Sequence, residues 1–475
     1  MQVQENSAAD ASSGLVSEAL SNFASSITFD SIPPRVIHRA VDLLLDGVGI
    51  AYASSTQEFA RSALRGLSKL GAGSAAVIGM NARLPLRDAV LMNSLLVHGL
   101  DFDDTHMEGI IHASASCFPC ALGVAAYANA DAKKFITAYI LGLEIATRLS
   151  MVANGKMHER GFHPTGLVGA FACVLIAGKL IGLNPRQLTM AQGIALSLAA
   201  GGSQEFLTEG AWTKRLHPGC GASAGITAAL LASEGFVGPT SVYEGRYGLF
   251  EMYLGNCMLP VVTAHIATLG RVWETEKIAI KPFPVCHYSH GAVEAALTIA
   301  REYRPNVDAI ASIDIFLPAK THHIVCEPIE LKLRPSNDYD ARFSAPFAIA
   351  VALCRGVLGL AELEPDCRND PKILALAAKI RCLDEVGSAF PRYFSGKVDV
   401  TMNDGQHFTR QEVMNLGCPD RPRSVDELQA KFMANATLAL SPTAASHVRG
   451  AMRGIENSSA AEIEQLLMGN GERRR

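Results

Sequence analysis

Apolar residues recur at i, i+3 and i+4 through the first half of the chain, the period that places one hydrophobic stripe on a helix. The spacing predicts helices over residues 36–53, 87–100, 134–153, 165–181, 185–199 and 222–234. Gly, Pro or Asn separates them, as at Asn154-Gly155, Asn184-Pro185 and Gly238-Pro239. Pro33-Pro34 and Pro185 fall near the first position of their helices, where a missing N–H is harmless. Gly166, Gly169, Ala170, Ala172, Ala177 and Gly178 make the fourth helix narrow enough for a neighbouring axis to approach closely.

Past Leu269 the texture changes. Residues 278–280, 312–317, 380–383 and 397–402 read as strands, Asn403-Asp404-Gly405 as a turn and His407-Phe408-Thr409 as a returning strand. Helical stretches lie between them at 291–303, 343–360 and 370–379, and the helical pattern resumes at 425–439, 444–455 and 460–468. The expected fold class is mainly α with an α+β part. A large, discontinuous all-helical domain takes residues 15–268 and 424–470, a smaller α+β domain takes 269–423, and 1–14 and 471–475 form flexible termini.

Composition sharpens this picture. A chain of 475 residues exceeds one comfortable core, which agrees with two domains. It is 49% hydrophobic and only 19% charged, so extensive helix–helix burial and further apolar surface hidden in an oligomer are expected. A net charge of −4 gives no footprint for nucleic acid, and Arg473-Arg474-Arg475 reads as a solvated tail. The apolar run 166–183 resembles a membrane span, but it carries Lys179 and has two similar neighbours, 135–149 and 188–200. A buried bundle explains all three, so no membrane association is expected. The first residues lack the apolar stretch of a secretory signal and carry acids unlike a transit peptide, and eleven scattered cysteines suit a reducing compartment. The expected location is cytoplasmic. Cys117-Phe-Pro-Cys120 has no matching second pair and reads as small residues opening an apolar helix.

The chemistry concentrates in residues 98–112. This stretch holds Asp101, Asp103, Asp104 and Glu108, the hydroxyl of Thr105 and the imidazoles of His98, His106 and His112, between apolar segments on either side. Desolvating a charge costs several kcal/mol unless it is paired, so such a cluster between apolar walls points to a reaction site. Four other segments set polar groups in apolar surroundings. His163 opens the Gly/Ala-rich helix, where a cap or structural role is the plainer reading; Lys214 and Arg215 precede a helix N-terminus as a possible anion corner. Lys281 lies in a proline-stiffened run ending in Cys286, His287 and His290, and Thr321-His322-His323 with Asp340–Ser344 flanks an irregular stretch that could close over a pocket. A metal set of Asp101, Asp104, His106 and His112 is an alternative, but the lysines favour an anionic substrate held without metal. No Gly-rich phosphate loop, nucleophile elbow or H-E-x-x-H motif is present.

These motifs, in this order, resemble the MmgE/PrpD family: HGLDFDDTH from His98, GFHP from Gly161, KRLHPG from Lys214, YEGRYG from Tyr243, KPFPVCHYSH from Lys281 and ARFS from Ala341. That family contains 2-methylcitrate dehydratase, cis-aconitate decarboxylase and iminodisuccinate epimerase. The resemblance implies a helical domain with an α+β lid, a cleft between them, a homodimer and no metal or organic cofactor. It places active-site positions on Asp101, Thr105, His112, His163, Lys214 and Lys281; His106 and His287 are expected as further substrate contacts. Lys214 and Lys281 would clamp carboxylates, His112 and His163 would exchange protons, Asp101 would orient an imidazole or act as a base, and Thr105 would donate a hydrogen bond.

Two departures bear on the substrate, a small anionic carboxylate. Ile110-Ile111-His112-Ala113-Ser114-Ala115 stands where close dehydratases carry a Trp-Gly-His-Pro-Ser-Asp type segment, and Cys286 stands where animal decarboxylases carry histidine. The leading expectation is a hydro-lyase acting on a di- or tricarboxylate. Decarboxylation comes second, epimerisation third, and a non-catalytic binding protein last, because the family's site positions are filled.

Overall fold

Helices that are apolar around their whole circumference must be enclosed by others. The computed structural model, which describes residues 14–469, shows this for Ala113–Tyr127, Ala132–Ala153 and Pro164–Leu180, whose residues are nearly all buried. Helix His217–Ser233 lies so close to Pro164–Leu180 that a Cβ on Gly221 would sit 2.4 Å from the Gly166 carbonyl oxygen, and one on Gly225 would sit 2.6 Å from the Val174 nitrogen. Helix Ala132–Ala153 is long and apolar enough to cross a membrane by length and composition, and 94% of its most apolar window is buried within the fold. The suspect run 166–183 is shorter as a helix, ending at Leu180.

The protein is mainly α with an α+β part. One apolar core draws on residues 16–280 and again on 428–467; a second draws on 279–418, joined by Met107 and Phe206. The second core is built on a four-stranded sheet of β1 (Ile310–Leu317), β2 (Ile380–Asp384), β3 (Gly396–Met402) and β4 (His407–Glu412), in the order β2-β1-β3-β4. β1 runs parallel to β2 and antiparallel to β3, with Ile313 opposite Ile380 and Val400. Ile313, Ile315, Val398 and Val400 are buried in the same core as residues of helices His290–Tyr303 and Ala345–Arg355, and the Asn403–Gly405 turn closes the β3–β4 hairpin. The expected flexible ends lie outside the described residues, apart from Gly14.

Several elements differ from expectation. Helices Val16–Ser26 and Glu58–Leu67 and the hairpin Ala75–Val77/Ala82–Leu84 were not legible. Helix 343–360 is shorter, Ala345–Arg355, because Gly356 adopts a left-handed conformation (φ 67°) and ends it. The strand expected at 278–280 is the two-residue Ile278–Ala279, paired antiparallel with Thr105–His106.

That short pairing positions the site, and a buried acid anchors the segment leading into it. Glu144 pairs with Arg148 and accepts hydrogen bonds from the Glu274 amide (3.1 Å), the Thr275 amide (2.8 Å) and the Thr275 hydroxyl (2.6 Å). Arg148 in turn donates to the carbonyls of Val272 (2.6 Å) and His265 (3.1 Å). Glu144→Gln leaves Arg148 as an uncompensated buried charge and is expected to destabilise the protein by about 3 kcal/mol or more, measured by denaturant unfolding.

Candidate active site

Helix Leu86–His98 ends where the acidic stretch begins, leaving carbonyl groups that no further turn satisfies. Cationic side chains from distant parts of the chain take them one after another. Arg215 Nε donates to Gly99 O (2.7 Å), Arg342 Nη1 to Leu100 O (2.8 Å), Lys281 Nζ to Asp101 O (2.8 Å) and Lys431 Nζ to Phe102 O (2.9 Å). Asp101 has a left-handed backbone (φ 49°), which turns its carboxylate between Lys214 and Lys281. Lys214 donates to Oδ1, and Lys281 reaches Oδ2 at 3.0 Å. Burial alone would raise the Asp101 carboxyl, but Lys214 and Lys281 overcome it and hold it well below the usual range.

Above this triad lie the imidazoles. His112 Nδ1 is 2.7 Å from the Asp104 carbonyl, which can only accept, so Nδ1 carries the proton and Nε2 of the neutral ring is a bare base. His163 caps helix Pro164–Leu180, its amide donates to Gly201 O and Gly202 O (2.9 Å each), and its Nδ1 is 3.1 Å from Nδ1 of His217. Behind them His98 stacks on His163 (centroids 5.6 Å apart) and holds Asp103 at 2.7 Å. Burial, and next the Lys214 charge, push His163 well below the ordinary imidazole range; burial does the same to His112, outweighing Asp103. The resting site therefore holds neutral imidazoles beside two ammonium groups.

Asp101, Thr105, His112, His163, Lys214, Lys281 and His287 all line one cavity, with Ile110, His158, Gln204, Tyr288, Phe343 and Cys286 among its other walls. His106 does not. Its Nε2 pairs with Glu274 (3.1 Å) and its Nδ1 accepts from the Gly109 amide (3.1 Å), so the expected substrate contact is corrected to a structural tie. The alternative metal set is not assembled either. Both Asp101 oxygens are on lysines, both His106 nitrogens are engaged by Glu274 and the Gly109 amide, and His112 Nδ1 is engaged by the Asp104 carbonyl. His98, Asp103 and His112 offer donor atoms within 4.8 Å of one another, but His98 Nδ1 and His112 Nδ1 are taken up by Asp103 and the Asp104 carbonyl. His323 lines an outer hollow that shares Ile110, His158, Tyr288 and Ile324 with the cavity, whereas His322 turns back to Leu317 O (3.3 Å). Cys117 and Cys120 are buried in helix Ala113–Tyr127, beside Cys173.

Sequence reasoning did not find His158, Gln204 or Lys431. His158 donates to Ile110 O (3.0 Å) and accepts from Gln204 (3.1 Å), a pairing that no spacing announces.

A family model described as the MmgE/PrpD N-terminal domain matches residues 18–259, and one described as the MmgE/PrpD C-terminal domain matches 283–456. The chain belongs to the MmgE/PrpD family. It is similar to cis-aconitate decarboxylase of Aspergillus terreus (28% identity, covering 98% of this chain and 95% of that protein) and of Homo sapiens (27%, covering 90% and 89%). Similarity to 2-methylcitrate dehydratase of Salmonella typhi is lower and shorter (23%, covering 70% and 71%).

One acid in the site is out of balance. Burial pushes the Asp104 carboxyl up to about 7, against hydrogen bonds from Ser114 and with help from Asp103 and Asp46. A folded pKa above the unfolded value means stability fully present below about pH 4 and lost as pH rises through about 7. Asp104→Asn, which mimics the neutral acid, is expected to unfold at a higher temperature than the parent at pH 8, with the gap shrinking toward pH 5 in parallel thermal melts.

Proposed function

We propose that the protein is a lyase that removes carbon dioxide from an unsaturated tricarboxylate of the cis-aconitate type. The observation that carries this reading is the pair of lysines on Asp101, buried in a cavity with neutral imidazoles. Support also comes from the relatives named cis-aconitate decarboxylase, which align over 89% or more of the chain. Three N–H contacts from the two ammonium groups go to Asp101, which aims them without using every donor an ammonium offers. A carboxylate entering the cavity accepts the remaining ones. The second core, which supplies Lys281 and His287, would close as a lid over a helical domain that supplies Asp101, His112, His163 and Lys214.

The chemistry follows from charge. A tricarboxylate brings negative charge beside imidazoles that burial keeps neutral, and this raises their proton affinity. His112 Nε2 takes up a proton as the substrate binds. The bond from the methylene carbon to its carboxylate breaks, releasing carbon dioxide. Its electron pair forms a new double bond and displaces the old one onto the vinyl carbon, which accepts the proton from His112. Charge developing on the carboxylate attached to that carbon is stabilised by Lys214 and Lys281, while Thr105 and His163 orient the substrate. No metal or organic cofactor enters this scheme. Exposed Leu230, Leu231, Phe236 and Val237 are apolar surface consistent with the homodimer that belongs to the same reading.

A second reading, dehydration of a 2-hydroxytricarboxylate such as 2-methylcitrate, is favoured by the bare Nε2 of His112, which in the resting state is a base able to remove a proton from carbon. Proton NMR in heavy water separates the two. With cis-aconitate the expected product carries a terminal methylene and one deuterium on the newly protonated carbon. Formation of an alkene from 2-methylcitrate, with cis-aconitate untouched, favours dehydration, and inertness toward both defeats the lyase reading. Lys214→Ala and His163→Ala are each expected to lower kcat by about 100-fold or more.

A further inference from the structure

Lys431 is 6% exposed and lies outside the cavity lining, on helix Val425–Ala436 of the returning C-terminal segment. Its Nζ is 2.7 Å from Asp46 Oδ1 on helix Pro34–Ser55, 2.9 Å from Phe102 O and 3.8 Å from the centre of the Phe102 ring. The other titratable groups bearing on this pair are Arg423, Lys281, Asp103, Asp104, Arg39 and Tyr139. A buried ion pair is weak support for stability, because well-packed apolar residues often serve as well. Asp46 Oδ2 even lacks a partner among the described residues. The pair is aimed at one atom, the carbonyl that follows Asp101, whose left-handed backbone needs an external hold.

We infer that Lys431 is a positioning residue for the reaction: it fixes the Phe102 carbonyl and so sets the Asp101 carboxylate between Lys214 and Lys281. This rests on the reading of Asp101 as part of the site. Burial depresses the Lys431 ammonium to about 8 against the opposing pull of Asp46, so the hold loosens as pH rises through that value.

The test is the double variant Asp46→Asn/Lys431→Met, which removes both buried charges, alongside Lys179→Met. Lys179 is a half-buried lysine that caps Ala24 O and Ile27 O (2.8 Å each), away from the site. In the double variant kcat for cis-aconitate is expected to fall about 10- to 100-fold with KM changed by less than about threefold. The parent is expected to lose kcat above about pH 8 and the double variant is expected not to, while amide hydrogen exchange in its peptides spanning 99–106 speeds up by about tenfold or more. Lys179→Met changes none of these. A folded double variant with parental kcat and parental exchange over 99–106 overturns the inference. Should the parent protein not act on cis-aconitate, the decarboxylase reading fails instead, and hydrogen exchange alone still decides the role of Lys431.

Discussion

Four consecutive carbonyls at the end of one helix, Gly99 to Phe102, each take a hydrogen bond from a different buried cation. A loop crowded with acids and bare carbonyls cannot lie between two apolar cores unless its polar groups are met. Arg215 comes from the first core, Arg342 and Lys281 from the second, and Lys431 from the segment that returns to the first. The requirement to satisfy this loop therefore ties the three parts of the chain to one point. The short Thr105–His106/Ile278–Ala279 pairing and the Glu144–Arg148 anchor bring Lys281 into range.

The same constraint sets the chemistry. Asp101 is an ion because two ammonium groups face it, and it turns those ammonium groups toward the cavity. His112 and His163 are neutral because burial disfavours their charged forms, outweighing Asp103 at His112 and reinforced by Lys214 at His163. An anionic ligand supplies what is missing, so the charge that identifies the substrate also changes the protonation of the rings that act on it. Binding and proton transfer are coupled through one electrostatic balance.

Much of this was legible in the sequence, for identifiable reasons. Ionisable residues between apolar runs mark a site wherever they fall, so 98–112 stood out, and the long apolar helices carry strong periods. Asp101, Lys214 and Lys281 converge as the motifs implied. His106 belongs to the same dense stretch yet faces away, because its pairing partner Glu274 lies far along the chain and spacing carries no trace of it. Lys431 sits on an amphipathic helix, where a lone lysine reads as solvated; only the packing of that helix on Pro34–Ser55 buries it against Asp46. The helix Val16–Ser26 was hidden by its many serines, two of which, Ser17 and Ser21, are buried and hydrogen-bonded.

The most direct measurement is a crystal structure with propane-1,2,3-tricarboxylate, a saturated tricarboxylate that cannot lose carbon dioxide by the proposed route. The arrangement described here requires one ligand carboxylate within hydrogen-bond distance of Nζ of both Lys214 and Lys281, with Asp101 still between them and His112 Nε2 facing the ligand carbon chain. A ligand bound elsewhere, or a cavity occupied without contact to either lysine, would contradict it.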